Sequence, residues 1–267
     1  MSTSSDAAAT ILFVGDVVGS VGRRALRAVL PELRERHDPT FVVVNGENAS
    51  GGVGITPKVA DEFFDLGVDV ITLGNHTYRH REVWRYLDEN ERILRPANFL
   101  RSMPGHGTCV VERDGVSLGV INISGNLFLK AAHPLFSEIE RSLDAVKDAD
   151  HVLVDVHAEA TSEKVAMGWM LDGQVTGVVG THTHVPTADA RVLPAGTAYI
   201  TDVGMTGSRN GVIGVKREQA IESLRTQLPV RFETAEEEPY VNAVVIRATA
   251  RRRADAIEQL LVPAPAA

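Results

Sequence analysis

Side chains of metal-ligand type stand at the points where apolar runs of the chain end. These residues are two carboxylates, two amides and four imidazoles: Asp16, Glu47, Asn48, Asn75, His76, His157, His182 and His184. Carboxylates and neutral imidazoles bind first-row divalent metals well, and Asn carbonyls complete a ligand shell without adding charge. A carboxylate can also bridge two ions about 3.5–4 Å apart, an arrangement that hydrolyses phosphate esters. The residue types therefore predict a two-metal hydrolytic site.

Each motif taken alone has an ordinary structural explanation. The pair in 182–184 could be two histidines at the mouth of a strand, and Asp16 could cap the following helix. Asn75 could be a turn residue, and His157 could be a core histidine whose hydrogen bonds are satisfied. The joint pattern still favours a metal site, because five strand ends would otherwise have to carry ligand-type residues by accident.

Bringing these side chains together requires a sheet, and the sequence predicts one. Five apolar, β-branched runs have the character of buried strands, and stretches with helical periodicity lie between several of them. The predicted strands are 9–16, 41–47, 68–75, 151–158 and 175–182, and the predicted helices are 21–37, 57–66, 82–87, 137–146 and 163–171. Such alternation is typical of βαβ units, whose ligand sites form at the carboxyl edge of the strands.

Other segments indicate antiparallel pairing. Two alternating runs within 108–124 flank Asp114-Gly115, which is the turn chemistry of a tight hairpin. Residues around 194–196 and 240–249 also have strand character. The predicted fold class is therefore α/β, with two packed mixed β-sheets flanked by helices in four α/β/β/α layers. We expect one domain over residues 10–261, with disordered ends at 1–9 and 262–267.

Composition limits the partners and the compartment. The 267 residues carry a formal net charge of −8, which argues against a stable complex with nucleic acid and suits small phosphorylated substrates better. No apolar run approaches the roughly 20 residues that span a bilayer, so we expect no membrane association. The single cysteine, Cys109, cannot form an internal disulfide, and the first residues lack the pattern of a signal peptide. We therefore expect a cytoplasmic protein, and the sequence leaves a homo-oligomer open.

Five short motifs mark the strand ends: GDVVG at 15–19, GEN at 46–48, GNH at 74–76, His157, and GTHTH at 180–184. Together they resemble the motifs of the calcineurin-like metallophosphoesterase superfamily. The chain is more similar still to a bacterial branch, the YmdB-like 2′,3′-cyclic-nucleotide phosphodiesterases, which share NGENA, GNHT and the DVGMTG at 202–207. It departs from the wider superfamily because Val18 stands two residues after Asp16, where His is usual, and Glu47 replaces a bridging Asp.

The resemblance implies a role for each strand-end residue. The implied ligands of the first metal are Asp16, Glu47, Asn48 and His184. The implied ligands of the second metal are Glu47, Asn75, His157 and His182. His76 is left without a metal, so the resemblance implies that a metal-bridging hydroxide attacks phosphorus and that His76 is the general acid for the leaving oxygen. The implied substrate-binding residues are Ser124, Thr206 and Gly207.

The implied activity is hydrolysis of small-molecule phosphodiesters, specifically 2′,3′-cyclic nucleotides. A phosphomonoesterase or a broader phosphoesterase is an alternative, because the same two-metal site serves all of these reactions. Another alternative is a regulatory protein that binds a nucleotide and turns it over weakly. The expected cofactors are two divalent metal ions. Iron or manganese is expected from the habit of the family, while zinc, nickel, cobalt and magnesium also fit the donors. The glycine-rich loop 50–54 either shapes the substrate pocket or simply connects a strand to a helix.

Overall fold

The computed structural model describes residues 8–265 and places them in two β-sheets and six helices. The strands are β1 (Ala9–Val14), β2 (Phe41–Asn45), β3 (Val70–Thr72), β4 (Ile93–Leu94), β5 (Thr108–Arg113), β6 (Val116–Ser124), β7 (His151–His157), β8 (Gly177–Thr181), β9 (Arg191–Val192), β10 (Ala198–Ile200), β11 (Gly207–Ser208), β12 (Pro239–Ala250) and β13 (Arg253–Pro263). The helices are α1 (Gly19–His37), α2 (Pro57–Asp65), α3 (Val83–Glu89), α4 (Leu135–Ala145), α5 (Thr161–Met170) and α6 (Arg217–Thr226).

Both sheets mix parallel and antiparallel strands, as the sequence predicts. The first sheet has the order β11-β12-β1-β2-β3-β4, with β13 beside β12; β1 to β4 run parallel, and β12 is antiparallel to its neighbours. The second sheet has the order β5-β6-β7-β8-β10-β9, with four parallel strands in the middle and an antiparallel strand at each edge. Parallel strands place their carboxyl ends at one edge, which is the edge where a ligand site can form.

Alternating side chains of β1 show how the layers pack. Ile11 and Phe13 are buried against residues of the second sheet such as Leu153. Leu12 lies in a separate cluster with Leu26 of α1, on the opposite face of the strand. Because successive side chains of a strand point to opposite faces, β1 contributes to the core between the sheets and to the core under the helices. Helices α4 and α5 cover the outer face of the second sheet in the same way, which completes the four predicted layers.

The ends of the described chain are more regular than the sequence predicts. Strand β1 already begins at Ala9, and β13 continues to Pro263, so the predicted disordered segments 1–9 and 262–267 are wrong at these residues. The reason is pairing with β12: Ala9 lies opposite Ala248, and Val262 lies opposite Val241. The rest of those two predictions falls on residues 1–7 and 266–267, outside the described part, and on a few residues beside the strands.

The predicted hairpin turn is present, and the structure adds helix α6. Asp114 and Gly115 have φ values of 52° and 78°, and they join β5 to β6 in the predicted hairpin. Helix α6 is not among the predicted helices; Ala220 is its one buried residue, and its larger apolar side chains, Ile221 and Leu224, are exposed. None of the helices described between residues 8 and 265 is both long and apolar enough to cross a membrane.

A pH-sensitive contact ties the start of β6 to the start of β7. The Ser117 backbone N and Oγ both donate to Asp150 Oδ2, at 3.0 and 2.7 Å, and these bonds lower the pKa of Asp150. A lowered pKa in the folded state stabilises the fold above the unfolded pKa, and that contribution is lost as the pH falls through the folded pKa. Between about pH 5 and pH 3 we therefore expect the wild type to lose more free energy of unfolding than Asp150→Asn, measured by urea unfolding. Parallel pH profiles for the two proteins would contradict this expectation.

Candidate metal centre

The fold brings all eight predicted strand-end residues to one edge of the molecule. Three strands of the first sheet and two of the second end there. The residues follow β1 (Asp16), β2 (Glu47, Asn48), β3 (Asn75, His76) and β8 (His182, His184), and His157 is the last residue of β7. Because the two sheets pack face to face, loops from both sheets meet above the core between them.

Acceptor atoms converge on the Nε2 atom of the buried His157. It lies 3.2 Å from Glu47 Oε1, 3.0 Å from Asn75 Oδ1 and 3.1 Å from His182 Nδ1. The other ring nitrogen of each histidine has its own partner: His157 Nδ1 is 2.9 Å from Thr181 Oγ1, and His182 Nε2 is 3.1 Å from a Glu159 oxygen. Those partners accept a proton, so the two facing nitrogens carry lone pairs in the neutral rings. Lone pairs that point at one another repel, so a proton or a metal ion between them stabilises the arrangement.

A second group of side chains consists of Asp16, His184 and the shared Glu47. Asp16 Oδ1 is fully buried and has no hydrogen-bond partner among the described residues. It lies 3.9 Å from His184 Nε2, while His184 Nδ1 donates to the Ile213 carbonyl at 2.8 Å. A buried carboxylate oxygen without a donor is costly, and a cation removes that cost.

The two groups have the composition and spacing of a pair of ion sites. One ligand atom from each of Glu47, His157 and His182 lies within 4.8 Å of the other two, and the same is true of Asp16, Glu47 and His184. Gly74 keeps this space open, because a Cβ there would lie 2.2 Å from His157 Nε2 and 2.3 Å from Glu47 Oε2. The donor set therefore fits two divalent cations joined by Glu47.

The pKa values in the cluster record how strongly these groups interact. Burial raises the pKa of Asp16 to about 6. Burial would also raise the pKa of Glu47, but the charge of His157 and hydrogen bonds from His157 and His76 hold it well below its usual value. The same pair raises the pKa of His157 to about 9 against the effect of burial, and burial together with the charge of His157 lowers the pKa of His182 to about 3. One proton on His157 thus balances the carboxylates, and a metal ion would displace it.

His76 lies beside the cluster, and its Nε2 atom has no hydrogen-bond partner among residues 8–265. Its backbone N donates to Glu47 Oε2 at 3.1 Å, and its Nδ1 is 2.8 Å from Asn48 Oδ1. Asn48 Nδ2 lies 3.1 Å from Glu47 Oε1 and 3.1 Å from His184 Nε2. The side chain of His76 is 37% exposed, so its Nε2 can meet a substrate from the solvent side. The oxygen of Asn48 has two lone pairs, so it can accept the bond from His76 and still offer a lone pair to a metal.

Left-handed backbone at two histidines shapes the loop after β8. His182 and His184 have φ values of 96° and 68°, which side-chain-bearing residues adopt at a cost. A buried ion pair holds this loop: Lys164 Nζ lies 2.7 Å from Asp202 Oδ2. The same oxygen accepts Thr183 Oγ1 at 2.7 Å and Thr183 N at 3.2 Å. The ion pair therefore fixes the residue between the two histidines.

The three predicted substrate-binding residues have different surroundings. Ser124 is buried at the end of β6 and lines a cavity together with Asn75. Thr206 Oγ1 is paired with the backbone of Asn242, and its backbone N donates to the Asp16 carbonyl at 2.8 Å. Gly207 belongs to β11 and pairs with Tyr240. Thr206 thus supports the Asp16 segment, and substrate contact by Thr206 and Gly207 stays a prediction.

A buried carboxylate below the site is absent from the sequence-based set of candidates. Asp155 of β7 accepts Asn45 Nδ2 at 3.0 Å and Thr72 Oγ1 at 2.5 Å on one oxygen, and Thr181 Oγ1 at 2.7 Å on the other. Burial raises the pKa of Asp155, although the charge of His157 and these hydrogen bonds lower it. Because Thr181 donates to Asp155, its oxygen accepts from His157 Nδ1 and sets the tautomer of that ring. The sequence signal that could have identified Asp155 is its position as a charged residue inside an apolar strand.

Comparisons with known proteins give the family and the fold. Residues 12–260 match the sequence model of the YmdB-like protein family. The chain is 45% identical over 254 residues to the 2′,3′-cyclic-nucleotide 2′-phosphodiesterase of Bacillus subtilis strain 168, covering 94% of this chain and 96% of that protein. A hypothetical protein from Thermus thermophilus has the same fold with a TM-score of 0.90 at 40% identity, covering 96% and 100% of the two chains. A phosphatase structure from Mycoplasma pneumoniae gives 0.89 at 33% identity, covering 96% and 94%.

Two mixed sheets between layers of helices, with carboxylates, amides and imidazoles at their joined strand ends, define a metallophosphoesterase fold. Within that class, the chain belongs to the YmdB-like protein family. The resemblance of the strand-end motifs to this branch is thereby confirmed.

The role of Asp155 leads to a paired prediction. Asp155→Asn places an amide against three donors, so the free energy of unfolding should fall by about 1–3 kcal/mol. The tautomer of His157 should also be lost, which should weaken Mn²⁺ binding about 10–100-fold in calorimetric titrations. Thr72→Val is the matched control, because it removes one donor to Asp155 and leaves the Thr181–His157 contact intact. Equal loss of Mn²⁺ affinity in both variants would show that Asp155 acts through general stability alone.

Proposed function

We propose that this protein is a metal-dependent phosphodiesterase that hydrolyses 2′,3′-cyclic nucleotides. The observation that carries the proposal is the pair of buried carboxylates, Asp16 and Glu47. A Glu47 oxygen lies within 4.8 Å of ring nitrogens of His157 and His182, and both carboxylates have an oxygen within 4.8 Å of a ring nitrogen of His184. The choice of substrate is supported by the 45% identical Bacillus subtilis relative, which is a 2′,3′-cyclic-nucleotide 2′-phosphodiesterase.

We assign one divalent metal ion to each of the two groups of donors, with iron or manganese as the first choice of metal. The residues proposed to hold the first ion are Asp16, Glu47, Asn48 and His184. The residues proposed to hold the second ion are Glu47, Asn75, His157 and His182. When bound, such ions lower the pKa of a coordinated water and neutralise the charge on phosphoryl oxygens. The chain positions these donors through Thr181, Glu159 and the Ile213 carbonyl, which fix the three ligand rings.

We assign proton transfer to His76. Its Nδ1 donates to Asn48 Oδ1 at 2.8 Å, so the Nε2 atom is the one that can give a proton to the departing ester oxygen, and it does so from the doubly protonated ring. The backbone bond from His76 N to Glu47 holds the residue beside the proposed bridging carboxylate. After the transfer, His76 recovers its proton from water on its exposed side.

His76→Asn tests this assignment. We expect turnover of 2′,3′-cyclic AMP to fall by about 10²–10⁴-fold, the usual contribution of general acid–base catalysis, with metal content unchanged. The matched control is His106→Asn, a change at an exposed histidine of the edge segment before β5, which should keep full activity. Loss of metal from His76→Asn would instead make His76 a metal ligand.

Metal removal and restoration test the site as a whole. Protein stripped with a chelator should lose hydrolysis of 2′,3′-cyclic AMP and regain it with Mn²⁺, whereas Asp16→Asn should remain inactive at the same Mn²⁺ concentration. Cleavage of a generic aryl phosphodiester without cleavage of the cyclic nucleotide would refute the substrate and retain the metal site. Tight nucleotide binding with turnover of neither compound would favour a regulatory protein.

A further inference from the structure

A cavity of about 280 Å³ adjoins the candidate metal centre. Its lining residues are Asn75, Phe99, Ser124, Phe128, Leu129 and Lys130. Asn75 also touches His157 Nε2 at 3.0 Å, so the cavity and the donor cluster share a wall. The segment 128–130 of the connection between β6 and α4 forms another part of the lining. A molecule whose phosphate lies at the donors can therefore extend into this cavity.

The beginning of that connection is fixed by a buried carboxylate. Glu163 Oε1 accepts the backbone N–H groups of Asn126 and Leu127, at 2.8 and 3.1 Å. Asn126 Oδ1 in turn accepts the backbone N–H of Leu135, the first residue of α4, at 2.7 Å. These three bonds close the connection into a short loop whose tip is 128–130.

The end of the connection is fixed to the strand end that carries Ser124. The Asn98 carbonyl accepts the backbone N–H groups of Ala132 and His133, at 3.0 and 2.9 Å. The Asn98 side chain bonds both backbone groups of Ser124, donating to its carbonyl at 2.7 Å and accepting its N–H at 2.9 Å. The loop tip is thus held at a set position in the lining that it shares with Ser124 and Asn75.

The loop tip presents an aromatic ring that the fold does not use. Phe128 is 84% exposed, and among the described residues its ring stacks on no other aromatic side chain. Its φ of 70° is left-handed, which is unfavourable for a residue with a large side chain. Lys130 beside it is exposed and forms no ion pair with the residues from 8 to 265. An exposed ring and a free ammonium at the edge of a donor cluster suit an anionic aromatic ligand.

We propose that this cavity binds the nucleobase of the substrate, which stacks on Phe128, and that Lys130 attracts the anionic nucleotide to its mouth. The proposal rests on the function proposed above. In a 2′,3′-cyclic nucleotide one ribose carries both the base and the phosphate, so a base site has to adjoin the phosphate site. Asn75 belongs to both sites, and Ser124, which lines the cavity, is the register partner of His157 in the neighbouring strand.

Substrates with and without a base test the proposal. The Mn²⁺-loaded protein is assayed with 2′,3′-cyclic AMP and with 1-O-methylribose 2,3-cyclic phosphate, which lacks a base. Stacking of one base is worth about 1–3 kcal/mol, so Phe128→Ala should lower the ratio of kcat/KM for the two substrates by about 5–150-fold. The change should come from KM for the nucleotide. Phe128→Tyr keeps the ring and should keep the ratio.

The matched control is Phe136→Ala, another exposed phenylalanine, in the first turn of α4 and outside the cavity lining. It should leave the ratio unchanged. An equal loss for both substrates in Phe128→Ala, or no loss for either, would overturn the base site. Failure of the wild type to hydrolyse either substrate would refute the proposed function instead. In that case the base site is tested by the binding of adenosine 3′-monophosphate, measured by calorimetry. Weaker binding to Phe128→Ala than to the wild type supports the base site, and equal binding refutes it.

Discussion

The structure depends on one buried carboxylate that joins the two sheets under the candidate metal centre. Asp155 of the second sheet bonds Asn45 and Thr72, which end two strands of the first sheet. A buried charge of this kind is tolerated when its hydrogen bonds are complete, and each donor then has a fixed place. The edges of the two sheets are therefore held in register where Glu47, Asn75 and their neighbours begin.

The same carboxylate reaches the donors through one hydroxyl group. Thr181 donates to Asp155 and faces His157 Nδ1 at 2.9 Å, so the packing of two sheets also determines which nitrogen of His157 faces Glu47 and Asn75. Glu159 and the Ile213 carbonyl do the same for the other two rings. Outer partners that orient ligand rings are a general property of metal sites. In this protein such partners come from the sheet ends and from loops, so the fold itself fixes the orientation of the rings.

Local patterns in the sequence predict much of this arrangement but not all of it. Strand ends and helices follow from apolar periodicity, and the ligand-type residues stand out because they interrupt it. The contacts of Asp155 with Asn45 and Thr72 could not be predicted, because they depend on how one sheet lies on the other. Lys164 and Asp202 pair across a helix and a loop for the same reason. The tip of the loop at Phe128 has no periodicity at all, and its place is set by Glu163 and Asn98.

The position of β1 between β2 and β12 has a consequence for how the chain reaches its native state. Phe13 lies opposite Val43 on one side and opposite Val244, near the other end of the chain, on the other side. The Asp16 segment is held in turn by Thr206, which follows most of the sequence. During synthesis, β1 can pair with β2 early, but it can pair with β12 only after nearly the whole chain has been made. Pairing between strands so far apart in the sequence slows folding. Before β12 is available, one edge of the apolar strand β1 is unpaired, so aggregation of the chain and its protection by chaperones both matter most in this interval.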